Sequence, residues 1–194
     1  MRVNIYRSIP LLIFLISLPG CGGQLYKVAP LPASAPPDLT RMSADGLHAG
    51  AIVIESDRSI RQFEANLPMA GVIAVDLLIV NKSSGPIDLH TLRFELHNDA
   101  GLSYKQITPK TALSRVMKFY GDNFYTLEAR RRTREDYSAL AFNPESPFAP
   151  EKERRGILFF EIKPKSTTLP LLTLQIHGLK TELILALNSK SNNE

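Results

Sequence analysis

The sequence predicts a mainly β fold: an antiparallel β-sandwich with a partly helical insertion, behind an apolar leader and a proline-rich spacer. Three observations predict it. Short apolar segments with period-two alternation recur along the chain, each bounded by turn-forming residues. One stretch, residues 110–150, breaks that rhythm with helical spacing. The composition, 44% hydrophobic and 22% charged over 194 residues, is ordinary for a soluble globular domain with one buried core.

The folded domain is expected over residues 49–188. Ala51-Ile52-Val53-Ile54 is a short apolar run, and Val72 to Val80 is a nearly continuous one, interrupted only by Asp76, as a central strand requires. Asn81 to Pro86 is a turn cluster. Leu92-Arg93-Phe94-Glu95-Leu96-His97 alternates and places Leu92, Phe94 and Leu96 on one buried face. Asn98 to Gly101 closes a hairpin, with Leu102 to Ile107 returning. Pro109 opens a helix in which Leu113, Val116, Met117 and Tyr120 share a face, and Gly121 ends it. Phe124 to Arg134 reads as a second helix or a structured loop. Strands resume at Gly156 to Ile162, Leu172 to His177 and Thr181 to Leu187. Residues 189–194 are a polar tail.

The first 20 residues are a separate unit. Arg2 and Arg7 precede an apolar core, Ile9 to Leu18, too short for a membrane span and of signal-peptide length. This leads into Leu18-Pro19-Gly20-Cys21, which resembles the lipobox of bacterial lipoproteins, with Pro19 where a small residue is usual. The resemblance implies cleavage before Cys21, a diacylglycerol on its thiol and an acyl chain on its amine. The partner would then be a membrane, reached through Cys21. Several acyl chains hold a protein stably, at about 0.8 kcal/mol per buried methylene. Gly22 at the second mature position implies the outer membrane where the host is Gram-negative. Cys21 is the only cysteine, so an exported chain has no internal disulfide. Residues 21–48, with Pro30, Pro32, Pro36 and Pro37, read as an extended tether. The domain behind it is similar, at the level of pattern, to the immunoglobulin-like sandwiches of small bacterial lipoproteins: a strand ending Val80-Asn81-Lys82-Ser83 and a late strand at Gly156 to Ile162.

Chemistry is sparse. The sequence has no Gly-x-Ser-x-Gly elbow, no His-Glu-x-x-His helix and no phosphate-binding glycine loop. Its histidines, His48, His90, His97 and His177, lack metal-ligand spacing. His90 and His97, seven apart, would face opposite sides of a single strand. These readings predict no cofactor, no metal and no catalytic residue. Asp76 needs an ion-pair partner or an exposed face; the sharper alternative is a perturbed acid in a cleft. Arg2 and Arg7 are the only charges among the first 20 residues, so of the net +4 the rest of the chain carries +2, too little to argue for nucleic acid.

The most unusual cluster is Arg130-Arg131-Arg132-Thr133-Arg134, followed by Glu135 and Asp136, with Arg154 and Arg155 further on. Guanidinium forks suit carboxylates and phosphates, so these four arginines are candidates for docking an envelope protein or another anionic partner. The plainer reading is a solvated face neutralised by its own acids. Aromatics crowd the same insertion: Phe119, Tyr120, Phe124, Tyr125, Tyr137, Phe142 and Phe148. Most should pack it onto the sandwich; a cleft near Phe119 to Tyr125 would instead suit a small ligand or a polysaccharide. The sequence thus favours a lipid-anchored, non-enzymatic binding or scaffold module. The alternatives are a ligand binder, and an enzyme whose site would be a histidine–carboxylate pair beside a nucleophile.

Overall fold

The computed structural model describes residues 26–36, 38–122, 126–163 and 169–187. The leader 1–20, Cys21, Phe124, Tyr125 and the tail 189–194 lie outside the described residues.

The described chain is mainly β, two antiparallel sheets with helices against one of them. The strands are β1 (Thr40–Ala44), β2 (Leu47–Ile54), β3 (Val72–Asn81), β4 (Arg93–Asn98), β5 (Ser103–Tyr104), β6 (Gln106–Ile107), β7 (Glu153–Glu161), β8 (Leu172–His177) and β9 (Leu183–Leu187). The helices are α1 (Ser56–Phe63), α2 (Pro109–Tyr120) and α3 (Leu127–Leu140). One sheet runs β1-β2-β3-β7-β6 and the other β5-β4-β8-β9.

Strand β3 explains the layering. Its odd residues, Ile73, Val75, Leu77 and Ile79, join a core shared by both sheets, with Leu158 and Phe160 from β7 and Leu174, Ile176 and Leu185 from the smaller sheet. Its even residues Val72 and Ala74 enter a second core with Phe63, Leu113, Val116, Tyr137, Ile157 and Phe159. A strand covered on both faces is apolar almost throughout, which is why 72–80 reads as a continuous run. The smaller sheet alternates instead: Leu172, Leu174 and Ile176 are buried while Thr173, Gln175 and His177 are less so. Its outer face meets solvent.

Local signals set the helices of the insertion. Thr108 caps α2, its side chain accepting from the N–H of Thr111, with Pro109 in the first turn and Gly121 closing it at φ 72°. Thr126 caps α3 in the same way, accepting from Ala129 N–H. The buried stripe of α3 is Ala129, Thr133 and Tyr137, a spacing of four that holds few apolar residues. Helix α1 buries Ser59, Gln62 and Phe63. Ser59 Oγ donates to Ala65 O at 2.6 Å and accepts from Leu67 N–H at 2.9 Å, so a polar face serves as its inner face.

Three expectations change. The stretch 102–107 is not one returning strand: β5 pairs with β4 in the smaller sheet, and two residues later β6 pairs with β7 in the larger. The chain therefore crosses between sheets at Lys105. His90 lies in a 3₁₀ turn, Leu89–Thr91, ahead of β4, so the face-parity argument with His97 does not apply. Residues 26–36 are not a free spacer. Tyr26 is buried, Val28 and Leu31 pack on the helix-side core, and Ala29 N–H donates to Gln62 O at 2.8 Å. Apolar side chains between the prolines give this extended segment a face to bury. The edge strand β1 follows, within the stretch expected as tether.

Candidate anion-binding groove

Helix geometry decides what the arginine run can do. Consecutive residues turn by about 100°, so four neighbouring arginines cannot share a face. Residues four apart can. On α3 the buried stripe takes Ala129, Thr133 and Tyr137, which leaves Arg130 and Arg134 on one flank and Arg131 and Arg132 outside.

The outward pair is internally matched. Arg131 Nη2 lies 2.8 Å from Glu128 Oε1 and its Nη1 2.8 Å from Glu135 Oε1, while Arg132 Nε lies 2.9 Å from Glu128 Oε1. Hydrogen bonds from Arg131 and Arg132 hold the Glu128 carboxyl down at about 2. This half of the cluster is a solvated, self-neutralised face.

The flanking pair lines a groove of about 450 Å³ with Lys110, Leu113, Ser114, Met117 and Lys118 of α2. Positions 110, 113, 114, 117 and 118 form one helical face. Among the described residues the lining has an apolar floor, one hydroxyl, four cations and no carboxylate. Arg115 on the same helix is directed elsewhere, to Glu161 at 2.6 Å. Such a groove concentrates positive potential where an anion could enter. A second hollow of about 350 Å³, near β6 and β7, carries no charged side chain and offers no comparable chemistry.

Asp76 is fully buried on the helix-side face of β3. Arg155 grips it with a fork, Nε to Oδ1 and Nη2 to Oδ2, both 2.8 Å, and Arg58 Nη2 reaches Oδ2 at 2.6 Å. The remaining nitrogen of Arg155 donates to Pro32 O at 2.6 Å and Ser34 O at 3.0 Å. The hydrogen bond to Asp76 raises the Arg155 pKa further. With both carboxylate oxygens engaged by guanidinium groups, Asp76 serves as a structural anion joining α1, β3, β7 and the N-terminal segment.

The outer face of the smaller sheet holds a cluster that sequence spacing could not reveal, because register assembles it. His97 and His177, on neighbouring strands, lie 3.4 and 3.8 Å from the same Glu95 Oε2. His97 Nδ1 is 3.0 Å from Ser103 Oγ, and His177 Nδ1 is 2.8 Å from Glu182 Oε1. This brings together a serine, a histidine and a carboxylate. It is a partly exposed row on a sheet face, and the nearby N–H groups of Gly101 and Leu102 are already donated to Asn98 O and Oδ1. Donors for a developing oxyanion are thus committed locally. Among the described residues no group of three or more His, Cys, Asp or Glu is placed to hold a metal ion.

Phe119 and Tyr120 contact each other edge to face, centroids 4.9 Å apart, and Tyr120 lies 6.1 Å from Tyr26. Tyr120 Oη accepts from Asn66 N–H at 2.9 Å. Of the expected aromatic cleft, Tyr120 fastens the N-terminal segment and the stretch after α1 to the end of α2. Comparison with protein-family models, curated proteins and solved structures finds no match.

Proposed function

We propose that this chain is a lipid-anchored, non-enzymatic binding module of the bacterial envelope, built on an immunoglobulin-like sandwich and holding an anionic partner in the α2–α3 groove. The anchor rests on Leu18-Pro19-Gly20-Cys21 behind its apolar core; Gly22 directs the protein to the periplasmic face of the outer membrane in a Gram-negative host. The single observation carrying the binding role is the grouping of Lys110, Lys118, Arg130 and Arg134 around one groove whose described lining includes no carboxylate. No cofactor or metal enters this reading.

Two variants of equal charge test the groove. Lys118→Ser/Arg134→Ser should elute from a sulphated polymer matrix at clearly lower salt than Arg131→Ser/Arg132→Ser, because the second pair is already matched by Glu128 and Glu135. Equal elution of both would reduce the groove to bulk charge. A second reading has its own observation. Ser103, His97 and Glu95 line up as a hydrolase relay would, though with the serine on Nδ1 rather than Nε2. Turnover of an activated ester that Ser103→Ala abolishes would favour it; equal rates in both proteins would remove it.

A further inference from the structure

We infer that the anionic partner of the α2–α3 groove is a linear acidic polysaccharide, a chain of sugars carrying carboxylate or sulphate groups, laid along α2 with its C–H faces on Leu113 and Met117. The inference rests on the binding role of the groove and names the class of molecule it takes. Three observations on α2 and α3 select that class.

The first is the spacing of the cations. Lys110, Ser114 and Lys118 follow one another at four-residue intervals and form one exposed ridge on α2. The two lysines are eight positions apart, about 12 Å along the helix axis. With their side chains extended they address charges further apart than a Debye length, about 8 Å at physiological salt. The ridge therefore suits a ligand with at least two separate charges rather than one small anion. Arg134 lines the α3 wall, and Lys110, Lys118 and Arg134 have no ion-pair partner among the described residues. Glu128 and Glu135 of α3 are engaged by Arg131 and Arg132 on its outer side, so they do not compete for these cations.

The second is what lies between the charges. Leu113 and Met117 run beside the ridge, each one position before a ridge residue, and make an apolar strip along the groove. Leu113 is buried and Met117 half-buried, so the strip is a floor rather than a protrusion. A polyphosphate has no apolar surface to set against it. A sugar ring has one: C–H groups on its face and hydroxyls around its rim. Laid on the strip, the ring shields apolar surface from water, while its rim meets the Ser114 hydroxyl. Its acid groups then meet the lysines on one wall and Arg134 on the other, as charge-assisted hydrogen bonds.

The third is the backbone of the walls. An extended acidic peptide brings an N–H and a C=O at every residue and satisfies them by adding to a sheet edge. The residues lining this groove lie in helices, whose backbone groups bond mainly within the helix, so the walls offer side chains. A helical peptide needs a broad apolar groove for its anchors, and a strip of two residues is too narrow.

The test is calorimetric titration of the full chain in a non-ionic detergent. The probes are an oligogalacturonate and a heparin oligosaccharide of equal length, with polyphosphate and polyglutamate of matched charge. At least one acidic oligosaccharide should bind more tightly than both non-sugar polyanions, and single galacturonate should bind at least tenfold more weakly than its oligomer. Lys110→Ser/Arg134→Ser should weaken the oligosaccharide roughly tenfold, as the loss of two charge contacts at exposed positions. Arg131→Ser/Arg132→Ser should change it little. Met117→Ser should weaken the oligosaccharide several-fold and leave polyphosphate unchanged, which separates a sugar face from bulk charge. Polyphosphate or polyglutamate bound as tightly as both oligosaccharides, and lost with Lys110→Ser/Arg134→Ser, overturns the polysaccharide and keeps the anion groove. Equal losses in the two double variants, or no binding of any probe, overturn the groove and the polysaccharide together.

Discussion

Asp76 and Tyr137 are both fully buried polar side chains, and their surroundings treat them in opposite ways. Asp76 is satisfied by two guanidinium groups. Truncating it leaves Arg58 and Arg155 facing an apolar layer without their anion, so Asp76→Ala should cost about 3–5 kcal/mol in urea unfolding. Tyr137 packs between Phe63 and Phe159, but its hydroxyl meets no hydrogen-bond partner among the described residues. Burial pushes that phenol up, out of the titrating range. Tyr137→Phe should therefore raise stability by about 1 kcal/mol, by removing a buried group that forms no bond. Both measurements use the same unfolding assay and predict opposite signs. A carboxylate inside an apolar run was legible in the sequence as a residue in need of a partner. The partner was not, because Arg155 lies 79 positions away and only the β3–β7 register brings it alongside.

At the scale of elements, legibility followed the strength of the local signal. Helix α2 announces itself through Thr108, Pro109, its apolar face and Gly121. Helix α3 does so weakly, because an Ala129-Thr133-Tyr137 stripe barely differs from a polar sequence. Helix α1 shows nothing, since its inner face is largely Ser59 and Gln62. Beside the packing of Tyr137, salt bridges on its outer face add a small electrostatic contribution to α3, and that gives it a pH signature. The Glu128 carboxyl is lowered from 4.5 to about 2 by Arg131 and Arg132. A lowered carboxylate contributes stability that is present above its unfolded value and lost as pH falls through its folded one. Far-ultraviolet circular dichroism should accordingly show helix content easing downward from about pH 4.5 to 2. Glu128→Gln should show the lower content already at neutral pH and a flatter acid profile. The arginine run was visible as a cluster; its division into a matched outer pair and a groove pair needed the helix phase.

For the molecule as a whole, the strands were largely readable and their assembly was not. Alternation and turn residues mark β3, β4, β7, β8 and β9, whereas nothing in residues 102–107 signals that the chain leaves one sheet for the other at Lys105. The N-terminal segment is the larger surprise. Its prolines suggest a spacer, yet Tyr26, Val28 and Leu31 close the helix-side core, and Arg155 holds Pro32 and Ser34. A chain beginning at Arg41 should thus be less stable than one beginning at Gly22, by about 3 kcal/mol for the apolar side chains uncovered. Thermal unfolding of the two chains side by side measures it, and equal midpoints would mean that the segment adds nothing.

The grip of Arg155 on the carbonyls of Pro32 and Ser34 also governs how the domain would bear tension. Once the contacts of Tyr26, Val28, Ala29 and Leu31 had given way, a pull on the N-terminal segment without this grip would reach Thr40 and open the edge strand β1 from β2 like a zipper, one rung at a time. With it, the load passes into Arg155, and from there through Asp76 into β3, the middle strand of the larger sheet. There the pull meets the longest ladder among the described strands and must shear many rungs together. A load on the N-terminal segment that reaches Arg155 is thus carried by the middle of the larger sheet rather than by its edge.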